Sequence, residues 1–237
     1  MRLDPEVPME PEARRNFHDR LAEVCQQTIR LGALTTETIL NGTQVLLDGD
    51  LAGADALIAA DDHIDALRHQ IEDDCLELLA TQAPVATDLR TLVTIFRVVH
   101  ELERSADLMV NVAKATRRLY PAELDPQIRG ILHQMGQQAV IQTRTAVDAF
   151  AISDASEAAA LADMDDVMDD LTKSLFRLVL TGTARDVDEG TLQWAVQMAL
   201  VGRHYERIAD HAVTIAERVQ FMVTGVHPAP NDEIKLS

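Results

Sequence analysis

Basic residues are scarce in this chain. Over 237 residues, 21 Lys and Arg stand against 39 Asp and Glu, which leaves a net charge of −18. That sign argues against nucleic acid as a partner, because phosphate contacts need a basic face. Aromatic residues make up only 3% of the chain, and there are just ten Gly and eight Pro. Strand formers are therefore few and helix breakers sparse, while Ala, Leu and Gln abound, so the expected fold class is all-α. Two cysteines, Cys25 and Cys75, stand fifty residues apart with no metal-ligand or redox spacing. They read as reduced structural thiols. No run approaches the roughly 18 apolar residues of a spanning helix, so direct membrane insertion is not expected. The opening Met1–Glu12 lacks the basic and apolar regions of a signal peptide, and the expected location is cytoplasmic.

What the chain does have is enough apolar material, 47%, for a sizeable core, and long stretches free of proline. Proline removes a helical hydrogen bond and clashes with the preceding turn, so its positions punctuate an all-α chain. Prolines 84, 121 and 126, with the Gly- and Asp-rich stretches Asp48–Gly53, Ser153–Ser156 and Gly182–Gly190, divide the sequence. Six helices are predicted, at 13–47, 52–80, 87–119, 126–151, 155–181 and 189–223. The tails 1–12 and 226–237, polar and Pro-rich, are expected to be disordered.

The chain is also internally duplicated. Leu102-Glu103-Arg104-Ser105-Ala106-Asp107 aligns with Tyr205-Glu206-Arg207-Ile208-Ala209-Asp210 at an offset of 103, and Asp61-Asp62-His63-Ile64-Asp65 with Asp165-Asp166-Val167-Met168-Asp169 at 104. Two tandem three-helix bundles are predicted, 13–120 and 126–225.

Each matched segment carries acids at i and i+4, on one helix face. Such pairs are weak evidence alone, since 39 acids give about six by chance. Their register adds weight. Leu92, Phe96, Val99, Glu103, Ala106, Val110 and Ala113 follow the 4-3 spacing of a packed seam, and Glu103 sits on it; Glu206 takes the same place in the repeat, and Asp61 lies on the seam of the second helix. Height adds more. Asp61 and Asp107, like Asp65 and Glu103, are equidistant from Pro84, so an antiparallel hairpin brings all four to one level; Asp165 and Asp210, like Asp169 and Glu206, are centred in the Gly182–Gly190 loop. Four anions on a packed interface require neutralisation. Two sources compete: a buried network with Arg68, Arg104 and Arg207, or metal ions, for which all-carboxylate sets favour Mg²⁺, Mn²⁺ or iron. Asn111 and Thr214, one turn further, offer neutral oxygens. His100, His204 and His211 lie nearby, where packing is the usual role of a single histidine.

At these residues the chain resembles the PhoU family of phosphate-specific transport accessory proteins, over nearly its whole length. The family's tandem three-helix repeat with two E(D)-x-x-x-D motifs per half is met by Asp61/Asp65 with Glu103/Asp107 and by Asp165/Asp169 with Glu206/Asp210. Pro84 and Asp88-Leu89-Arg90 also look family-like. The second half departs, with Thr191-Leu192-Gln193 in place of Asp-Leu-Arg and Thr214 in place of Asn. The resemblance implies a cytosolic helical protein that holds two clusters of divalent or trivalent metal on those motifs. It also implies a regulator that restrains phosphate-starvation signalling through the phosphate ABC transporter ATPase subunit and a phosphate-sensing histidine kinase. Homodimerisation is left open.

Two rivals are weaker. A ferritin-type di-metal carboxylate enzyme needs Glu-x-x-His on two helices, and no Glu here has a His three residues later. No nucleophile elbow, Gly-rich phosphate loop or H-E-x-x-H is present either, so catalysis is not expected. A phosphotransfer or purely structural bundle would need an exposed, phosphorylatable histidine as its mark.

Overall fold

The structure is a computed structural model that describes residues 11–121, 123–183 and 188–226. Among these residues there are six helices and no strand: α1 (Pro11–Asp48), α2 (Leu51–Gln82), α3 (Ala86–Leu119), α4 (Pro126–Ile152), α5 (Ala155–Thr183) and α6 (Glu189–Thr224). Every helix end falls within two residues of its predicted place. The expected disordered tails fall largely on residues 1–10 and 227–237, outside the described residues.

Local chemistry explains the ends. Asp125 accepts from the Gln127 and Ile128 amides ahead of Pro126 at N1, Asp154 from the Ser156 and Glu157 amides, and Asp188 from the Thr191 amide. Each thereby satisfies orphan donors of a first turn. Gly49 and Gly225, at φ +63° and +74°, supply the left-handed residues that end α1 and α6.

Helices α2, α3, α6 and α5 pack side by side in that order, and α1 and α4 lie together across one face of this layer. Polar contacts fix the central antiparallel pair: Arg90 Nε donates to the Met222 carbonyl at 3.2 Å and Thr94 Oγ1 to the Arg218 carbonyl at 3.4 Å. Both contacts are equidistant in sequence from residue 156, as an antiparallel crossing requires. The α1–α4 pair is antiparallel too and approaches through glycines. A Cβ on Gly32 would stand 2.5 Å from Val147 Cγ2, and one on Gly136 2.4 Å from Thr43 Cγ2. Gly32 and Gly136 are repeat equivalents, as are Thr43 and Val147. The two contacts are therefore one contact seen twice, and the halves are related by an approximate twofold.

The core divides by the ends of the molecule rather than by repeat. One apolar cluster joins Phe17, Ile71, Leu92 and Leu102 of the first half to Phe150, Leu161 and Val219 of the second. A second joins Ile39, Met109 and Val112 to Leu132, Leu175 and Tyr205, and a small third, Val45, Ala54 and Ala113, lies within the first half. Each half completes the other's core, so the repeat is a duplicated sequence within one hydrophobic assembly. Both cysteines are free, and Cys75 is buried.

Candidate functional site

The α2–α3 hairpin brings Asp61, Asp65, Glu103 and Asp107 into one neighbourhood. Asp61, Asp65 and Glu103 are half-buried and Asp107 is exposed. Burial pushes the Asp61 carboxyl up to about 6, aided by the negative charges of Asp107, Asp65 and Asp62 and opposed by Lys114. Burial likewise raises Glu103, with Asp107, Asp65 and Asp61 adding to it and Arg68 opposing. The four carboxylates thus feel one another as their spacing required. None of them makes a side-chain hydrogen bond or ion pair.

The expected arginine network is not what neutralises this cluster. Arg68 Nη1 pairs with Glu72 at 2.9 Å, one turn along its own helix, and acts on Glu103 only at a distance. Arg104 is exposed and enters no ion pair. The i, i+4 geometry on α2 favours Glu72 over a partner across the hairpin.

The second cluster differs. Asp210 is raised by burial first and by Glu206 and Asp169 after it, while Arg203 and His211 oppose. Asp169, Glu206 and Asp210 therefore stand together on α5 and α6; the Asp165 side chain lies outside the described residues. Here a guanidinium is built in. Arg203 Nη1 donates to Glu206 Oε1, and its charge is further favoured by Asp210 and Asp169. Sequence reasoning singled out Arg207 and missed Arg203. The position equivalent to Arg203 in the first half is His100, so the repeat does not carry the guanidinium from one half to the other.

The neighbouring polar residues are otherwise engaged. Thr214 Oγ1 donates to the Asp210 carbonyl at 3.0 Å. His211 Nδ1 meets Glu101 Oε2 at 2.5 Å across the α3–α6 seam, a pair the sequence did not disclose. His204 Nδ1 is buried without a partner, and burial, with Arg207 adding to it, lowers the pKa of its ring. Among the described residues no three His, Cys, Asp or Glu side chains stand close enough together to hold a metal ion as they are placed. The carboxylates of each half are neighbours held on two rigid helices, with Asp107 and Asp210 turned outward. Mutual repulsion accounts for that spread.

A duplicated helical layer that carries one carboxylate group per half defines a class: tandem-repeat helical proteins whose distinctive chemistry is acidic. The PhoU domain family pattern matches residues 28–116 and again 132–219, and the chain belongs to that family. It is 37% identical over 222 residues to the phosphate-specific transport system accessory protein PhoU homolog 1 of Mycobacterium tuberculosis, covering 93% of this chain and 98% of that one. To the PhoU homolog of Synechocystis it is 33% identical over 219 residues, 90% of this chain and 93% of the other. Among solved structures, the phosphate transport system regulatory protein PhoU of Streptococcus pneumoniae superposes with a TM-score of 0.82 at 30% identity, covering 90% of this chain and 99% of that one. PhoU of Pseudomonas aeruginosa does so with a TM-score of 0.83 at 29% identity, covering 89% and 100%. The chain is a PhoU-type accessory protein of phosphate transport, built as a helical bundle. No described helix is long and apolar enough to cross a membrane.

Proposed function

We propose that this chain is a metal-bearing cytoplasmic adaptor that keeps phosphate-starvation signalling off, docking on the phosphate ABC transporter ATPase subunit and on a phosphate-sensing histidine kinase. The observation that carries the metal reading is the first carboxylate group: four acids on two rigid helices, two of them raised by burial and by one another, with no bonded cation. Hard oxygen donors in that state fit Mg²⁺, Mn²⁺ or iron. Asp61, Asp65, Glu103 and Asp107 would hold ions in the first half, and Asp165, Asp169, Glu206 and Asp210 in the second. The bound metal would supply positive charge on an acidic face, which changes what that face can meet. Membership of a family of transport accessory proteins, and the absence of any nucleophile–base constellation from the sequence, support a stoichiometric role.

The test is genetic and chemical together. In a strain lacking every paralogue, loss of the protein is expected to turn on phosphate-scavenging genes in phosphate-rich medium. Neutralising all eight acids should reproduce this at least in part while the folded protein still accumulates, whereas Glu123→Gln should not. Unchanged repression in the deletion strain overturns the regulator reading. A chain purified without chelator that carries no stoichiometric metal, and gains no thermal stability from added Mn²⁺ or Fe²⁺, overturns the metal reading.

A further inference from the structure

Between α1 and α2 runs an open trough with a cavity volume of about 430 Å³, floored by Val110 of α3 and walled by Leu34 and Val45 on one side and Leu57 and Ile64 on the other. It extends from Leu34 to Val45 on α1 and from Gly53 to Ile64 on α2, which at 1.5 Å per residue is about 16 Å, or three helical turns. Its room comes from small residues. Gly53, Ala56 and Ala60 recur at i, i+3 and i+7 along α2; exposed Ala56 and Ala60 leave it open, whereas Gly53 at its end admits Val45 of α1, whose Cγ2 would stand 2.8 Å from an added Cβ.

In the second half the same positions are Glu157, Ala160 and Met164, so two of the three small residues have become large. Leu34 has become Gln138, whose Nε2 donates to the Met164 carbonyl at 3.1 Å and ties α4 to α5. The residues that line the trough are therefore not repeated as a set in the second half.

The charges that line the trough have one sign. Glu37 is exposed on the α1 wall and Asp61 half-buried on the α2 wall, exposed His63 is the one imidazole at its edge, and no Lys or Arg is among the lining residues. Asn41 and Thr38 add polar groups on the α1 side, although the Thr38 hydroxyl already donates to the Leu34 carbonyl. A straight, apolar, three-turn trough with carboxylates on both walls matches the ridge of a helix whose apolar residues recur at i, i+4 and i+7 and whose flanks are basic.

We propose that the α1–α2 trough docks one basic amphipathic helix of a partner protein, its apolar ridge entering over Ala56 and Ala60 and its Lys or Arg side chains meeting Glu37 and Asp61. A helix seated there turns the first three-helix unit into a four-helix bundle, which buries the exposed faces of Ala56 and Ala60. The proposal rests on the adaptor reading for its biological purpose. Its test reads binding by the purified chain, so it can fail while the regulatory role stands, and the reverse.

The probe is a blocked, labelled peptide of about fifteen residues with leucine at i, i+4, i+7 and i+11 and lysine on both flanks, followed by fluorescence anisotropy at physiological ionic strength in chelator-treated buffer. Binding is expected at one peptide per chain. Ala56→Gln with Ala60→Gln fills the trough with neutral side chains at exposed helical positions that tolerate them, and is expected to weaken binding by about tenfold or more with an unchanged helical spectrum. Glu37→Gln should weaken it less and flatten its salt dependence. A peptide of the same composition with its leucines scattered around the helix should bind at least about tenfold more weakly. Equal binding of the scattered peptide, or full binding by the filled variant, overturns the proposal, since the peptide would then be held by the net charge elsewhere. No binding by the wild-type chain overturns it as well. So does a chain that self-associates through this face, seen as a dimer that the filled variant loses, because the trough would then belong to a second copy.

Discussion

Glu101 Oε2 and His211 Nδ1 stand 2.5 Å apart where α3 crosses α6, with side chains 18% and 11% exposed. Their repeat equivalents are His204 and Leu108, so the pair joins the two halves at a point where the approximate twofold is broken. Burial alone would raise the Glu101 carboxyl, but the His211 hydrogen bond and charge, with His100 and Arg104, hold it below the usual glutamate value. Glu101→Leu leaves the imidazole without its acceptor and His211→Leu leaves a carboxylate without its donor. Each is expected to cost about 1–3 kcal/mol in urea unfolding. The double Leu variant should recover most of that loss, since an apolar pair needs no partner and leucine already stands at the equivalent of His211. If the two losses simply add, the residues are not coupled.

Stability should run against the usual direction over part of the acid range. Asp61, pushed up to about 6, and Glu103 and Asp210, raised by burial and neighbouring carboxylates, bind protons more tightly folded than unfolded. As pH falls from 7 through about 6 toward the unfolded carboxylate range, these three carboxyls take up protons first in the folded state and raise stability, outweighing the single opposing His204, which burial lowers and which takes up its proton first in the unfolded chain. Below that range the sign reverses. Glu101, Asp154 and Asp188 are held low in the folded state, so their contribution is present above the unfolded value and lost as pH falls through the folded one. In chelator-treated protein the melting temperature is expected to be higher near pH 5 than at pH 7.5 and to fall steeply below about pH 4. A melting temperature that declines steadily from pH 7.5 downward would contradict the raised carboxyls.

The α1–α4 crossing depends on residues without side chains. Thr43 Oγ1 donates to the Ile39 carbonyl at 2.7 Å and meets the Tyr205 hydroxyl at 2.9 Å, so Thr43 cannot turn away from a methyl group placed on Gly136. Gly136→Ala gains about 1 kcal/mol of helix propensity, yet the forced separation should leave it less stable by about 1–3 kcal/mol. Gly130→Ala on the same helix, where an added Cβ meets nothing, should be neutral or stabilising. Circular dichroism melts of the two variants check the pair. Equal effects would mean that the close approach is not limiting.

Six helices were legible because proline, glycine and the Asp caps interrupt an otherwise uninterrupted helical composition, and the duplication was legible in the matched acids. The level of each carboxylate group followed from equal distance to a hairpin centre, a rule of antiparallel geometry alone. What escaped is everything that depends on how the halves meet. Phe150 of the second half completes the first half's core, and Glu101 finds His211. Neither contact has a local pattern, since a pairing between helices more than a hundred residues apart leaves no periodicity in either. Arg203 escaped for another reason. Arg207 directly follows Glu206 and drew the eye, but one step around a helix is about 100°, whereas three residues back is the same face.

The two carboxylate groups should differ toward metal. In the first group no bonded cation stands among Asp61, Asp65, Glu103 and Asp107, so an entering ion displaces nothing. In the second, Arg203 already bonds Glu206 and is drawn toward Asp210 and Asp169, so an ion must displace a guanidinium or share its carboxylate. The first site should therefore load at the lower Mn²⁺ concentration. Titration with Mn²⁺, followed by calorimetry, should show two unequal steps. Glu103→Gln with Asp107→Asn is expected to abolish the tighter step and leave the weaker. Arg203→Gln removes the resident charge without touching a carboxylate, and should bring the weaker step toward the tighter by about tenfold or more. The same substitution is expected to lower the melting temperature in chelator, because Glu206, Asp210 and Asp169 then repel without relief, and to return it when Mn²⁺ is added. If Arg203→Gln leaves both steps unchanged, the guanidinium does not compete for the second site. If the wild-type chain shows a single step that survives the Glu103/Asp107 pair, the tighter site is not on the α2–α3 hairpin.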